Sequence, residues 1–245
     1  MRVLLLLPLV ACNVDSLSTN GELGHLSFSL SSAWYLDPTQ LTDVDIVTGH
    51  EQAIGVELTA DGRERADGDA GAIEYVMSPS TGVTFAESDD DSDSEEAPPL
   101  ALTVTEPGDY TLEARLGGET FDRIQLGFDA PALIEVAGFV RDPWAEEFSR
   151  MVSMDPVQVL EGSQFAWLPI PLAEGGERLA GDIATSMAAD PMTAVVPADN
   201  VTHVNEDEVF GASAPSLYFV EPGEVTVTLA DTVNPVEAEL DFIVE

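Results

Sequence analysis

EPGDYTLEA, residues 106–114, returns as EPGEVTVTL at residues 221–229, an offset of 115. An upstream pair behaves the same way. GRERADGD (62–69) and GGERLAGD (175–182) share five of eight positions at an offset of 113: Gly62/Gly175, Glu64/Glu177, Arg65/Arg178, Gly68/Gly181 and Asp69/Asp182. Gly49 meets Gly162 at that same offset. The small drift between anchors is ordinary loop-length variation. Anchors in one order at nearly one offset argue for two copies of a unit of about 110 residues, a usual domain size.

Within the copies the sequence is a series of short strand-like runs. GHLSFSL places Leu26, Phe28 and Leu30 on one face. AIGVEL, AIEYVM, GVTF, LALTV, DYTLEARL and FDRIQLGF follow, parted by Gly, Pro, Asp and Ser clusters. Short strands with turn signals between them describe an all-β sandwich. The EPG segments narrow the class. Glu106, Gly108 and Tyr110, at alternate positions, resemble the strand-F pattern of the immunoglobulin family. There the Tyr opens strand F and its hydroxyl bonds back to nearby backbone, so the resemblance implies that corner for Tyr110. Leu112 stands where antibody domains carry the second cysteine of their disulfide, and Val225 replaces the Tyr in the second copy. The resemblance is therefore to the broad bacterial immunoglobulin-like class. In each copy the EPG strand and its successor, FDRIQLGF or VEAELDFIVE, are expected to form the closing F–G hairpin.

The chain opens MRVLLLLPLVAC. Arg2 and the amino terminus precede an apolar run from Val3 to Val10. Such a run spans about 12 Å as a helix, against roughly 30 Å of hydrocarbon core. It reads as the apolar region of a signal peptide. Leu9-Val10-Ala11-Cys12 resembles the lipobox of bacterial lipoproteins. The resemblance implies cleavage after Ala11, a diacylglyceryl thioether on Cys12 and an acylated amino group; two or three acyl chains hold a protein firmly where one does not. Asn13 in place of Asp favours the outer over the inner membrane by that family's sorting rule. Cys12 is the only cysteine in the chain, which leaves no disulfide or thiolate metal site beyond it. Asn13 to Gly24, NVDSLSTNGELG, is polar and turn-rich and is expected to be a flexible tether reaching at most about 40 Å.

Charge excludes some partners. The chain has 46 Asp plus Glu against 8 basic residues, all Arg, for a formal charge of −38. Such a surface repels phosphate backbones, so nucleic-acid binding is excluded, and it attracts inorganic cations or a basic partner. It resembles the surfaces of proteins from saline habitats, where salt shortens the reach of carboxylate repulsion. The densest acidity is ESDDDSDSEE, residues 87–96. With Asp89 as position 1 of an EF-hand loop, Asp91 and Asp93 fall at positions 3 and 5. Ser94 then occupies the glycine position and Leu100 the bidentate glutamate position. The run is expected to be a solvated loop with weak cation binding at most, and the repeat sets it opposite VTHVNEDEVF, residues 201–210.

No nucleophile elbow, HExxH pair or phosphate-binding loop occurs in the sequence. His25, His50 and His203 are expected to be separate surface histidines, and Arg65 and Arg178 to make structural ion pairs. DPWAEEFSRMV is expected to be a short helix starting at Asp142, with Trp144, Phe148, Met151 and Val152 on its packed face. The whole reads as an all-β chain: signal peptide 1–11, lipidated Cys12 with tether 12–24, and tandem immunoglobulin-like sandwiches at 25–130 and 131–245. The expected function is non-enzymatic, with no catalytic residue, cofactor or metal site. A lipid-anchored envelope protein would present its modules for adhesion or scaffolding, with the stacked domains holding a distal face away from the membrane. Alternatives are a surface module binding glycan or Ca²⁺, with Trp34, Tyr35, Trp144 and Trp167 as its platform, and an accessory subunit of an envelope or export complex.

Overall fold

The computed structural model describes residues 16–32, 40–59, 73–86, 100–151, 156–205 and 208–245, with backbone alone at 16, 202–205 and 208–213. Among the described residues the first half contains nine strands: β1 Ser16–Asn20, β2 Leu26–Ser31, β3 Asp45–Val47, β4 Glu51–Leu58, β5 Ile73–Ser78, β6 Val83–Ala86, β7 Leu100–Val104, β8 Gly108–Leu116 and β9 Glu119–Asp129. The second contains nine more: β10 Leu133–Arg141, β11 Ser149–Arg150, β12 Val157–Val159, β13 Gln164–Leu172, β14 Thr185–Asp190, β15 Val195–Asn205, β16 Glu208–Phe219, β17 Gly223–Asp231 and β18 Glu237–Val244.

These strands make four sheets. The orders are β1-β2-β4-β7-β6 and β3-β9-β8-β5 in the first half, and β11-β10-β13-β16-β15 and β12-β18-β17-β14 in the second. In immunoglobulin lettering each half pairs an A-B-E-D sheet with an A′-G-F-C sheet, A′ running parallel to G. The chain is thus two immunoglobulin-like sandwiches in tandem. Alternation explains the layering. Tyr110, Leu112 and Ala114 point inward from β8 at 3% exposure or less, as do Val225, Val227 and Leu229 from β17. Leu26, Phe28, Leu30, Ile54 and Leu102 close the first core. Phe165, Trp167, Leu217, Phe219 and Phe242 close the second, where the ring of Phe242 sits 5.0 Å from Phe165 and 4.8 Å from Phe219.

The repeat survives at atomic detail. The Gly49 N–H donates to the Val104 carbonyl at 2.8 Å, and the Gly162 N–H donates to Phe219 at 2.7 Å. Both glycines hold φ near +88°, the left-handed region that side chains disfavour. The F–G hairpins are β8–β9 and β17–β18. The Tyr110 hydroxyl donates to the Glu106 carbonyl at 2.9 Å, which is the corner expected from EPGDY.

Two expectations are corrected. Residues 16–24 are no free tether. β1 pairs with β2, Ser16 opposite Ser31 and Asn20 opposite Ser27, and buries Leu17 against the core. The turn between these strands is gripped by the buried carboxylate of Asp122, which accepts the N–H groups of Leu23, His25 and Leu26 at 2.8–3.0 Å. The run from Asp142 is also not helical. It makes a turn, the Ala145 N–H donating to Asp142, and then β11, which pairs with the edge of β10. Short isolated helices are marginal, and an unpaired edge offered this segment ladder bonds instead. Phe148 is buried under the Arg141 guanidinium, while Trp144 is 78% exposed.

Candidate functional site

The most elaborately bonded polar groups lie where the two sandwiches meet. The second sandwich offers the GGERLAGD segment and the β17–β18 turn. The first offers β3 and the turn from Thr48 to Gln52. Ala180 bridges Ile46 in parallel. Its N–H donates to the Asp45 carbonyl at 2.8 Å, and its carbonyl accepts the Val47 N–H at 2.9 Å. The second sandwich therefore adds a rung to the free edge of a sheet in the first. The Asp45 carboxyl is pushed up, first by desolvation and then by Asp129 and Asp109.

Beside this rung the Gln52 side chain, 3% exposed, clamps one residue of backbone. Its Nε2 donates to the Asp182 carbonyl at 3.1 Å and its Oε1 accepts the Asp182 N–H at 3.2 Å. The preceding Gly181 sits at φ +90°, and a Cβ there would collide with the Gln52 amide. The shared glycine of the repeat motif thus has a contact reason in its second copy.

His50 completes the joint. Ala184 directs its N–H at Nδ1 from 3.4 Å, and on the other side of the ring Nε2 lies 2.8 Å from Asp231 Oδ1. Asp231, its side chain fully enclosed, also accepts the Val233 N–H at 2.7 Å, the Asn234 N–H at 3.0 Å and the Asn234 side-chain amide at 3.0 Å. Burial pushes this carboxyl up. The Asn234 and Val233 N–H groups, the Asn234 amide and the His50 ring outweigh that effect and hold it below its ordinary 3.8. The same Asn234 amide reaches across to the Thr48 carbonyl at 3.3 Å. An apolar layer of Val47, Ile134, Ala173, Leu179 and Ile183 seals the contact. Satisfied buried polar groups of this kind fix one geometry, because any shift leaves donors unpaired in a dry interior. Chemically the arrangement is a lock between domains.

The sequence missed this site. His50 is 7% exposed rather than a surface histidine, and its partner Asp231 is 181 residues away. A signal was available in the repeat: the inward position of Gln52 corresponds to Phe165, an aromatic with no exposed surface. His25, by contrast, stacks on Phe121 at 5.1 Å. Arg178 makes the expected ion pair, but with Glu135 of β10 at 3.2 Å instead of the nearby acids. That pair is exposed and contributes little. The aromatic platform is not assembled among the described residues: Trp167 is buried in the second core while Trp144 is exposed. Cys12, Trp34, Tyr35, Arg65 and the run 87–96 lie outside the described residues, as does the His203 side chain. The acidic run connects β6 to β7, the position that residues 206–207 occupy between β15 and β16.

No protein-family model matches the chain, and no curated protein matches it. Among solved structures it is similar to the Escherichia coli adhesin FdeC at 14% identity and TM-score 0.30, covering 82% of this chain and 61% of that one. It is similar to domains 4 and 5 of the S-layer protein SbsC at 11% identity and TM-score 0.28, covering 93% and 98%. Invasin, a bacterial integrin-binding protein, matches at 14% identity and TM-score 0.26, covering 79% and 36%. The chain thus spans less than two thirds of FdeC and about a third of invasin.

Proposed function

We propose that this chain is a lipid-anchored protein of the bacterial cell envelope that presents its two immunoglobulin-like sandwiches for adhesion or scaffolding and catalyses no reaction. The observation that carries this reading is the joint. Its His50–Asp231 pair and Gln52 clamp are closed on the partner domain, so these groups serve shape. A two-domain body of fixed geometry suits a molecule that holds a surface in place. The leader ending in Leu9-Val10-Ala11-Cys12 supplies the attachment, with the outer membrane as its destination. A protein partner in the envelope completes the scheme, and the acidic surface favours one with a basic face.

The test combines metabolic labelling with capture. Cells grown with a clickable palmitate should label the wild-type protein and not Cys12→Ser, and labelled protein should sediment with the envelope. Cross-linking in intact cells should then join the wild-type protein to one defined neighbour, and release of Cys12→Ser from the membrane should abolish that product. Wild-type protein that takes up no palmitate would end the anchor reading.

A further inference from the structure

The position of β1 decides how an anchored molecule would lie. β1 runs antiparallel to β2, with Ser16 opposite Ser31, and β2 runs antiparallel to β4, with Leu30 opposite Ile54. β4 starts at Glu51, in the turn that forms the joint, and climbs away from it. The described chain therefore begins at the joint end of the first sandwich, halfway along the molecule. Ser31 itself lines an open cleft of about 350 Å³ together with Glu51 of β4 and Asp182 of the second sandwich.

Residues 13–15 alone separate Cys12 from Ser16, so the thioether lies at most about 14 Å from the start of β1. On one side of that point the first sandwich extends along the eight residues of β4, and on the other the second extends along the nine of β13. At about 3.3 Å per residue each arm is roughly 25–30 Å long. An upright molecule would have to push one arm into the bilayer, because a lead of about 14 Å cannot lift an arm twice that length clear of the surface.

In a chain with 46 acidic residues, β1 and β2 contain none. Ser18, Asn20, Ser27, Ser29 and Ser31 are the outward side chains described there; on the same face of β4, Ala53 and Gly55 are uncharged and Glu51 and Glu57 bound them at the two ends. Hydroxyl and amide groups can hydrogen-bond headgroups, and Glu51 and Glu57 at the margin of the face favour zwitterionic headgroups over anionic ones. We propose that this β1–β2 face rests on lipid headgroups. Cys12 holds the molecule at its waist, and the long axis stays within about 30° of the membrane plane, the tilt at which a roughly 30 Å arm uses up the 14 Å lead. This inference rests on the lipid-anchor reading above, and it replaces a standing mast with a body lying along the surface.

Neutron reflectometry of the acylated protein reconstituted in a supported phosphatidylcholine bilayer reads the difference directly. A lying molecule gives a protein layer about 30 Å deep, one sandwich across, and a standing one gives roughly 60 Å. Inserting about 20 Gly/Ser residues between Asp15 and Ser16 leaves both sandwiches intact and frees the tilt, so the layer should thicken. Wild-type protein without palmitate overturns the anchor and the waist together. Palmitoylated wild-type protein in a layer near 60 Å, or a layer that the insertion leaves unchanged at that depth, overturns the waist alone.

Discussion

The turn before the second strand of each core is the same object put to two uses. In both sandwiches a glycine at φ near +88° donates to the last residue of a neighbouring strand, β7 in the first and β16 in the second. After Gly49 come His50 and Gln52, which reach into the other sandwich. After Gly162 come Ser163 and Phe165, which stay at home. The Ser163 hydroxyl accepts the Leu160 N–H at 3.3 Å and donates to Asp142 at 3.4 Å, and Phe165 stacks on Trp167 at 5.5 Å. The backbone device belongs to the fold, while the side chains on either side of it decide whether that end becomes a joint. Position 52 gives up an aromatic's contribution to its own core and gains a grip on a neighbour.

Swapping the two uses should fail most severely in the core. Phe165→Gln leaves an amide unpaired among Trp167 and Phe242 and should lower stability of the second sandwich by about 4 kcal/mol, seen in its denaturation midpoint. Asp122 comes next. Its carboxylate accepts four backbone N–H groups, from Leu23, His25, Leu26 and Arg123, whereas the matching rung of the second sandwich holds Ala238 opposite Leu229. Asp122→Ala should cost the first sandwich about 3 kcal/mol and leave the second unfolding transition in place. Equal loss in both transitions would mean that the two halves unfold as one unit.

The joint itself is a smaller effect with a clear direction. Gln52→Ala should lengthen the time-averaged molecule in small-angle scattering and raise amide exchange at Asp182, with about 1–2 kcal/mol lost from the contact. Acid should do the same through Asp231. Its folded carboxyl is held below 3.8, so its stabilisation is full above about pH 5 and is lost as pH falls below the ordinary carboxylate value. Protection of the Val233 and Asn234 amides, relative to their intrinsic exchange at each pH, should be flat down to that range and then fall. Smallest of all, Tyr110→Phe removes one hydrogen bond, about 1 kcal/mol, from the first sandwich. Val225→Phe, at the same position of the second, has no such bond to lose.

Local patterns were readable. The alternation in DYTLEARL and VEAELDFIVE specified the closing hairpins because one face of each is buried, and EPGDY specified the tyrosine corner because that motif is a single turn and the strand after it. β1 was not readable: SLSTN carries one apolar anchor, Leu17, its partner is the Ser-rich β2, and the turn between the two is held by a carboxylate about 100 residues away. The segment from Asp142 followed its helical signals on paper and lost them to the edge of β10. His50 and Gln52 had no local sign of their role, because a joint is defined by residues more than a hundred positions downstream. Only setting the two copies side by side, Gln52 against Phe165, exposes the polar residue in an apolar place.

The rung that Ala180 adds to β3 has one more consequence. An edge strand with unpaired N–H and C=O groups is a template on which another chain can assemble. Here the place beside β3 is taken by the same polypeptide, so that one edge of the first sandwich is closed to other copies by the domain that follows it. A protease cut in the short link between Asp129 and Leu133, followed by separation of the halves, would bare Asp45–Val47 and turn a soluble fragment into a seed for aggregation.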